Sequence, residues 1–393
     1  MVYANFFFVS RTHRQFLIRK GADMKVNFLD LKAQYQSIKP EIDQAIQAVL
    51  EKTAFAAGPF VKAFEEKFAA AHESSFCVGV SSGTAALHAA LMALDIKAGD
   101  EVIVPANTFF ATPEAVSLAG ATPVFVDCES EYYNINPDLI EVAITDKTKV
   151  IIAVHLYGQP AQMEKIVAIA KKHGLYLVED CAQAHVSTLN GQSVGTFGVC
   201  GCFSFYPGKN LGAYGEGGAV IMNDEALYKK VMMIRDHGMA QKYYHDILGH
   251  NYRLEGFQGA ILDVKLKYIQ EWTEKRRQNA DSYRKHFADC PDVIVPQEMP
   301  GARHVYHLFV IRIKKRDELQ KYLADHQIYT GIHYPIPCHL QKAYSALSYG
   351  AGDFPITEAY ADDLLSLPMS EQLTEDEITY TCSTIKEFFR NGH

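Results

Sequence analysis

Short apolar runs alternate with segments of helical period through the first two thirds of the chain. Residues 77–81, 101–105, 123–127, 150–155, 176–180, 202–206 and 219–222 are rich in β-branched and aromatic side chains, as strands buried on both faces must be. Between them, residues 83–94, 112–118 and 161–173 space their apolar positions three or four apart, which predicts helices. Two amphipathic helices come first. Residues 39–51 carry Ile42, Ala45, Ile46 and Val49 on one face, and residues 59–71 carry Val61, Phe64, Phe68 and Ala69. The expected architecture is α/β: a mostly parallel seven-stranded sheet covered by helices on both faces. Right-handed crossovers and a ligand site at the carboxyl ends of the strands follow.

Beyond Gly249 the pattern changes. Residues 258–272 and 271–289 read as helices, 307–312 as a strand, 316–326 as a helix and 328–335 as another strand. This predicts a smaller C-terminal α+β domain. The expected division is a large domain over 24–255, whose N-terminal helices pack on a small domain over 256–393. Residues 1–23 mix Phe6, Phe7 and Phe8 with Arg11, Arg14, Arg19 and Lys20, and no cleavage site follows a proper apolar region. They are expected to be an extension outside the fold, because Met24 opens the well-patterned sequence.

Composition narrows the function classes. The 393 residues carry a formal charge of −8 without acidic or basic blocks, so the electrostatic footprint of a nucleic-acid binder is missing. No run of about twenty apolar residues is present to span a bilayer. The eight cysteines are sparse, and Cys77, Cys128 and Cys202 lie in or beside apolar runs, which suggests buried free thiols in a reducing cytoplasm. The single-residue gap between Cys200 and Cys202 matches neither a zinc nor a redox spacing, and no metal is expected.

Three stretches carry candidate chemistry. Lys209 lies in a turn with Pro207, Gly208 and Gly212 directly after an apolar run, where either a solvated loop lysine or a nucleophilic amine is at home. Ser81-Ser-Gly-Thr84 leaves a strand and opens a helix, so it is either an ordinary N-cap or an anion site on the free N–H groups of the first turn. Asp180 closes a buried strand, either capping the next loop or facing a cation, since an unpaired buried carboxylate is costly. A phosphate cradle, a carboxylate for a ring nitrogen and an amine together meet the needs of pyridoxal 5′-phosphate.

Ser82-Gly-Thr84, residues 105–112, Glu179-Asp-Cys-Ala-Gln-Ala-His185, residues 203–218 and Gly249-His-Asn-Tyr-Arg-Leu254 resemble, in order and spacing, the motifs of the DegT/DnrJ/StrS sugar aminotransferases. The resemblance runs from about Met24 to the C-terminus. It implies that Lys209 holds pyridoxal phosphate as a Schiff base, with Asp180 on the ring nitrogen and Gln183 against the ring or its phenolic oxygen. Phe109 would stack on the ring, and Gly83, Thr84 and Ser204 would hold the phosphate. Asn251 resembles the residue that reaches the neighbouring subunit's phosphate, which implies a homodimer with shared active sites.

Relatives that dehydrate deoxysugars carry histidine where this chain has Lys209, so the lysine implies transamination, with L-glutamate as the amino donor. The segment Gly331-Ile-His-Tyr-Pro-Ile-Pro-Cys-His-Leu340 resembles members that aminate C3 of a nucleotide-linked keto sugar, here a dTDP-3-keto-6-deoxyhexose. His333, Tyr334 and Tyr206 are the substrate-side candidates. Amination at C4, a UDP- or GDP-sugar, and a non-catalytic sensor on the same fold are the alternatives. A dinucleotide-binding oxidoreductase is disfavoured, because no G-x-G-x-x-G follows the first strand. One departure is Val186-Ser187, where many members have glycine and alanine.

Overall fold

The computed structural model describes residues 24–392; the expected extension over residues 1–23 lies outside the described residues. The seven apolar runs form one sheet: β1 (Phe76–Val80), β2 (Glu101–Pro105), β3 (Thr122–Val126), β4 (Thr148–Val154), β5 (Tyr176–Asp180), β6 (Cys200–Ser204) and β7 (Gly218–Met222). Their spatial order is β1-β7-β6-β5-β4-β2-β3. Only β7 runs against the others, pairing antiparallel with both β1 and β6.

The helices preceding and interleaving these strands are α1 (Leu31–Ser37), α2 (Lys39–Lys52), α3 (Pro59–Ala71), α4 (Gly83–Ala93), α5 (Ala111–Leu118), α6 (Met163–His173) and α7 (Glu225–Arg235). Helices α8 (Gly256–Leu266), α9 (Ile269–Phe287), α10 (Arg316–Asp325), α11 (Pro355–Asp363) and α12 (Glu375–Arg390) follow. Alternation along each strand decides which helices cover which face. Val102, Val104, Val150, Ile152 and Val178 pack with α4, α5 and α7. Ile103, Ile151 and Leu177 turn the other way onto α6, and Cys77, Phe203 and Ile221 onto α3 and α8. Both faces are therefore buried, which is why the strands read as nearly continuous apolar runs. Ile42 of α2 meets Ile261 and Val264 of α8 in a separate small cluster.

In the C-terminal part, β8 (Phe309–Arg312) pairs antiparallel with β9 (Leu364–Leu367). Phe309 and Ile311 pack there on Tyr283 and Phe287 of α9, Leu319 and Leu323 of α10, and Ile385 and Phe388 of α12. The expected strand over 328–335 is not formed. The segment makes only isolated bridges, Ile328 to Val26 and Gly331 to Ser366. The four buried residues of β9 occupy the place beside β8, and the displaced segment carries His333 and Tyr334 to the carboxyl edge of the main sheet. Among the described residues no helix is long and apolar enough to cross a membrane.

Candidate active site

Where β1 ends, Ser82 caps α4: its Oγ accepts from the Ala85 N–H at 3.0 Å, and its carbonyl accepts from Ala86 at 3.0 Å. The N–H groups of Gly83 and Thr84 thus head the helix without intrahelical partners, at the positive end of its dipole. Gly83 must be glycine for a steric reason. A Cβ there would sit 2.7 Å from Cβ of Ser204, the last residue of β6.

Asp180, at the end of β5, is buried. Its Oδ2 accepts from the Thr112 hydroxyl at 2.8 Å and its Oδ1 from the Ala182 N–H at 3.1 Å. Burial raises its pKa; those two donors, then the positive charge of Lys209, oppose the rise. Next to it, Glu179 accepts from the N–H groups of Gly195, Phe197 and Gly198 at 2.7–2.8 Å and from His155 Nε2 at 3.0 Å. His155 Nδ1 accepts from the Ala161 N–H at 3.0 Å, which makes Nε2 the protonated nitrogen. The donor atoms of His155, Glu179 and Cys181 lie within 4.8 Å of one another, but the histidine and carboxylate are engaged in these bonds. The group is a brace for the end of β5.

Lys209 follows β6 in a tight turn closed by its own N–H on the Tyr206 carbonyl at 2.8 Å. A Cβ at Gly212 would fall 2.3 Å from the Pro207 carbonyl oxygen, so the turn cannot close without that glycine. The buried amine of Lys265 clamps it from behind, donating to the Gly212 carbonyl at 2.5 Å. Burial lowers the pKa of Lys209 to about 8, with Asp180 pulling it upward.

These groups share one cavity of about 710 Å³. Of the residues expected from the sequence, Gly83, Thr84, Ser204, Asp180 and Lys209 line it, as do Phe109, Gln183, Tyr206, His333 and Tyr334. Phe109 is 54% exposed and its ring lies 5.5 Å from that of Tyr334. Gln183 Oε1 accepts from the Tyr157 N–H at 2.6 Å, which leaves Nε2 to donate to the Tyr334 hydroxyl at 3.1 Å. His333 shares a 2.8 Å hydrogen bond with Ser366 Oγ and stacks on Phe28. Burial, then the charge of Lys209, lowers its pKa to about 4. Asn251 stands apart: it is exposed and does not line the cavity.

Sequence reasoning missed Thr112, His307 and Tyr157. Thr112 lay inside a quoted motif, which was the one signal available. His307 lines the cavity beside Lys209. Asn210 Nδ2 donates to the Val305 carbonyl at 3.1 Å, so its Oδ1 faces His307 Nδ1 at 3.1 Å and fixes the proton there. The Val186 departure has a structural cost, because this β-branched residue holds a left-handed φ of 56°.

Comparison with known proteins agrees with this geometry. A pleiotropic regulatory protein of Geobacillus stearothermophilus is 45% identical over 94% of this chain and 100% of its own length. The dTDP-3-amino-3,6-dideoxy-alpha-D-galactopyranose transaminase of Aneurinibacillus thermoaerophilus is 44% identical over 92% of this chain and 99% of its own. The crystal structure of Streptomyces venezuelae DesV in complex with a ketimine intermediate superposes with a TM-score of 0.91 at 41% identity, covering 93% of this chain and 98% of that one. The family profile matches residues 36–386, and the chain belongs to the DegT/DnrJ/EryC1/StrS aminotransferase family.

Proposed function

We propose that this protein uses pyridoxal phosphate to transfer the amino group of L-glutamate to C3 of a dTDP-3-keto-6-deoxyhexose. The observation that carries the reading is the convergence of Lys209, Asp180 and the N-terminus of α4 on one cavity. The residues suit the cofactor. The missing Cβ at Gly83 lets the head of α4 pack against Ser204, so that Ser204 Oγ would add a donor for a phosphate beside the free N–H groups of α4. The buried Asp180 carboxylate is held between two donors and would accept from a protonated ring nitrogen. When bound, the cofactor supplies an electron-withdrawing ring that stabilises negative charge at the donor's Cα.

Lys209 does the rest. With its pKa at about 8, roughly a quarter of the amine is neutral at pH 7.5, against about one part in a thousand for an exposed lysine. It is therefore competent to attack a carbonyl carbon, and its free amine would act as general base toward the proton on the donor's Cα. His333 stays neutral because burial and Lys209 oppose its charge. Together with Tyr334 and Tyr206 it faces the sugar, where uncharged acceptors and phenols suit hydroxyl groups. The full-length similarity to a dTDP-3-amino sugar transaminase supports the substrate. Asn251, exposed and off its own cavity, reaches the phosphate in a second subunit of a homodimer. The eight cysteines, all free and buried, suit a reducing cytoplasm.

A second reading, a sensor on the same fold, draws on the similarity to proteins named for pleiotropic regulation and for sensory transduction. Glutamate separates the two. In the enzyme it removes the cofactor's yellow absorption, and Lys209→Ala abolishes that change and all turnover while the fold persists. Retained transamination in Lys209→Ala overturns the assignment of the amine. NMR of the product then reports C3 or C4.

A further inference from the structure

We propose that Tyr157 is a positioning residue that ties the cofactor side of the cavity to the sugar side; this rests on the aminotransferase reading above. Tyr157 does not line the cavity. It is almost fully buried, three residues past the end of β4. Its backbone is left-handed, with φ 60° and ψ 2°, and Gly158 follows at φ 99°. An aromatic residue held in that region is strained, and it stays there because its surroundings over-determine it.

The Tyr157 carbonyl accepts from the Leu308 N–H at 3.3 Å, and two further bonds point to the two halves of the site. The main-chain N–H donates to Gln183 Oε1 at 2.6 Å. This commits the amide oxygen and turns the NH2 group of Gln183 toward the Tyr334 hydroxyl and the cavity. The phenol donates to the main-chain carbonyl of His333, the residue before Tyr334 in the segment that replaces the expected strand. One residue thus sets which face Gln183 shows a bound ring and where the His333-Tyr334 segment stands above it. Gly158 lets the bend sit this close. A Cβ there would meet Val305 Cγ2 at 2.8 Å and the Gln183 carbonyl oxygen at 3.0 Å.

The two bonds are separable, because Tyr157→Phe keeps the N–H and the ring and removes only the hydroxyl. In the holoenzyme, calorimetric affinity for dTDP-glucose is expected to fall about tenfold and KM for the keto sugar to rise by a similar factor. The glutamate half-reaction and the cofactor's absorption spectrum should stay at wild-type values, while Tm falls modestly for the one buried hydrogen bond lost. Unchanged dTDP-glucose affinity overturns the proposal. So does equal weakening of both half-reactions, which marks Tyr157 as general packing. Failure of the underlying reading looks different: wild-type holoenzyme would keep its yellow absorption in glutamate, or would not bind dTDP-glucose, and either removes the basis of the proposal.

Discussion

Replacing Gly83 by alanine tests whether the phosphate cradle depends on the close approach of α4 to β6. The added Cβ would lie 2.7 Å from Ser204 Cβ and 3.2 Å from both Ser204 Cα and Oγ. Carbon atoms rest at about 3.5–4.0 Å, so the head of α4 and the end of β6 must separate by roughly 1 Å. Neither side gives easily. Ser204 is paired with Gly218 of β7, and α4 is pinned by the Ser82 cap and packed over the sheet by Leu87 and Leu91. Overpacking of this kind costs about 1–3 kcal/mol. The functional loss is larger, because a 1 Å separation takes hydrogen bonds of about 2.9 Å beyond bonding range for either Ser204 Oγ or the helix N–H groups. Losing one charge-assisted bond, worth about 1.5–3 kcal/mol, weakens pyridoxal phosphate binding by roughly ten- to a hundredfold. Titration of the apoprotein by absorbance gives the affinity, and thermal denaturation gives the stability. Gly350→Ala is the control, since nothing lies within 4 Å of its would-be Cβ. If Gly83→Ala binds the cofactor as wild type does, the cradle is not built on this contact.

Other changes have expected signs and sizes. Lys209 is protonated below about pH 8 and neutral above it, so the rate at which apoprotein takes up pyridoxal phosphate should rise to a plateau just above that pH. A rate still climbing steeply well above that pH would mean an ordinary exposed amine. Thr112→Val removes the 2.8 Å donor from buried Asp180 and should cost about 1–3 kcal/mol in urea denaturation, with weakened cofactor binding. Val186→Gly releases about 1–3 kcal/mol of left-handed strain while giving up a comparable amount of side-chain burial. Its stability should stay near wild type, whereas Val178→Gly, fully buried in β5 with no such strain to release, should lose at least about 2 kcal/mol.

The main sheet was legible because its strands are buried on both faces. Each of the seven predicted runs lies within two residues of the observed strand at either end. The C-terminal part was less so. Residues 328–335 have the apolar spacing of a strand, and only three-dimensional competition with β9 rules it out. Strand β9 itself follows α11 directly, Asp363 to Leu364, with no turn residue to mark the boundary. Candidate site residues marked by their type, such as Lys209, Asp180 and Gly83, stood out in the sequence. Those that act through a contact set by the fold did not. Thr112 matters because α5 brings its hydroxyl to the end of β5, and Tyr157 matters because its backbone bends left-handed; neither property belongs to the residue alone.

The topology also accounts for the glycines that close the lysine stretch. Strand β7 is inserted antiparallel between β1 and β6, so its first residue, Gly218, pairs with Val80 on one side and Ser204 on the other. The turn into α4 and the turn carrying Lys209 therefore leave the sheet on either side of Gly218. Neighbouring strands lie about 4.8 Å apart, so the ends of β1 and β6 stand roughly 10 Å apart, and the turn into α4 closes that gap by bringing Gly83 against Ser204. A Cβ on Gly218 would stand 2.3 Å from the Ser82 carbonyl oxygen and 2.7 Å from that of Phe203. Its hydrogen atom leaves the main chain of both turns free to fold inward over the edge of β7. The same feature that interrupts the parallel order of the sheet thus brings the N-terminus of α4 and a buried amine onto one cavity.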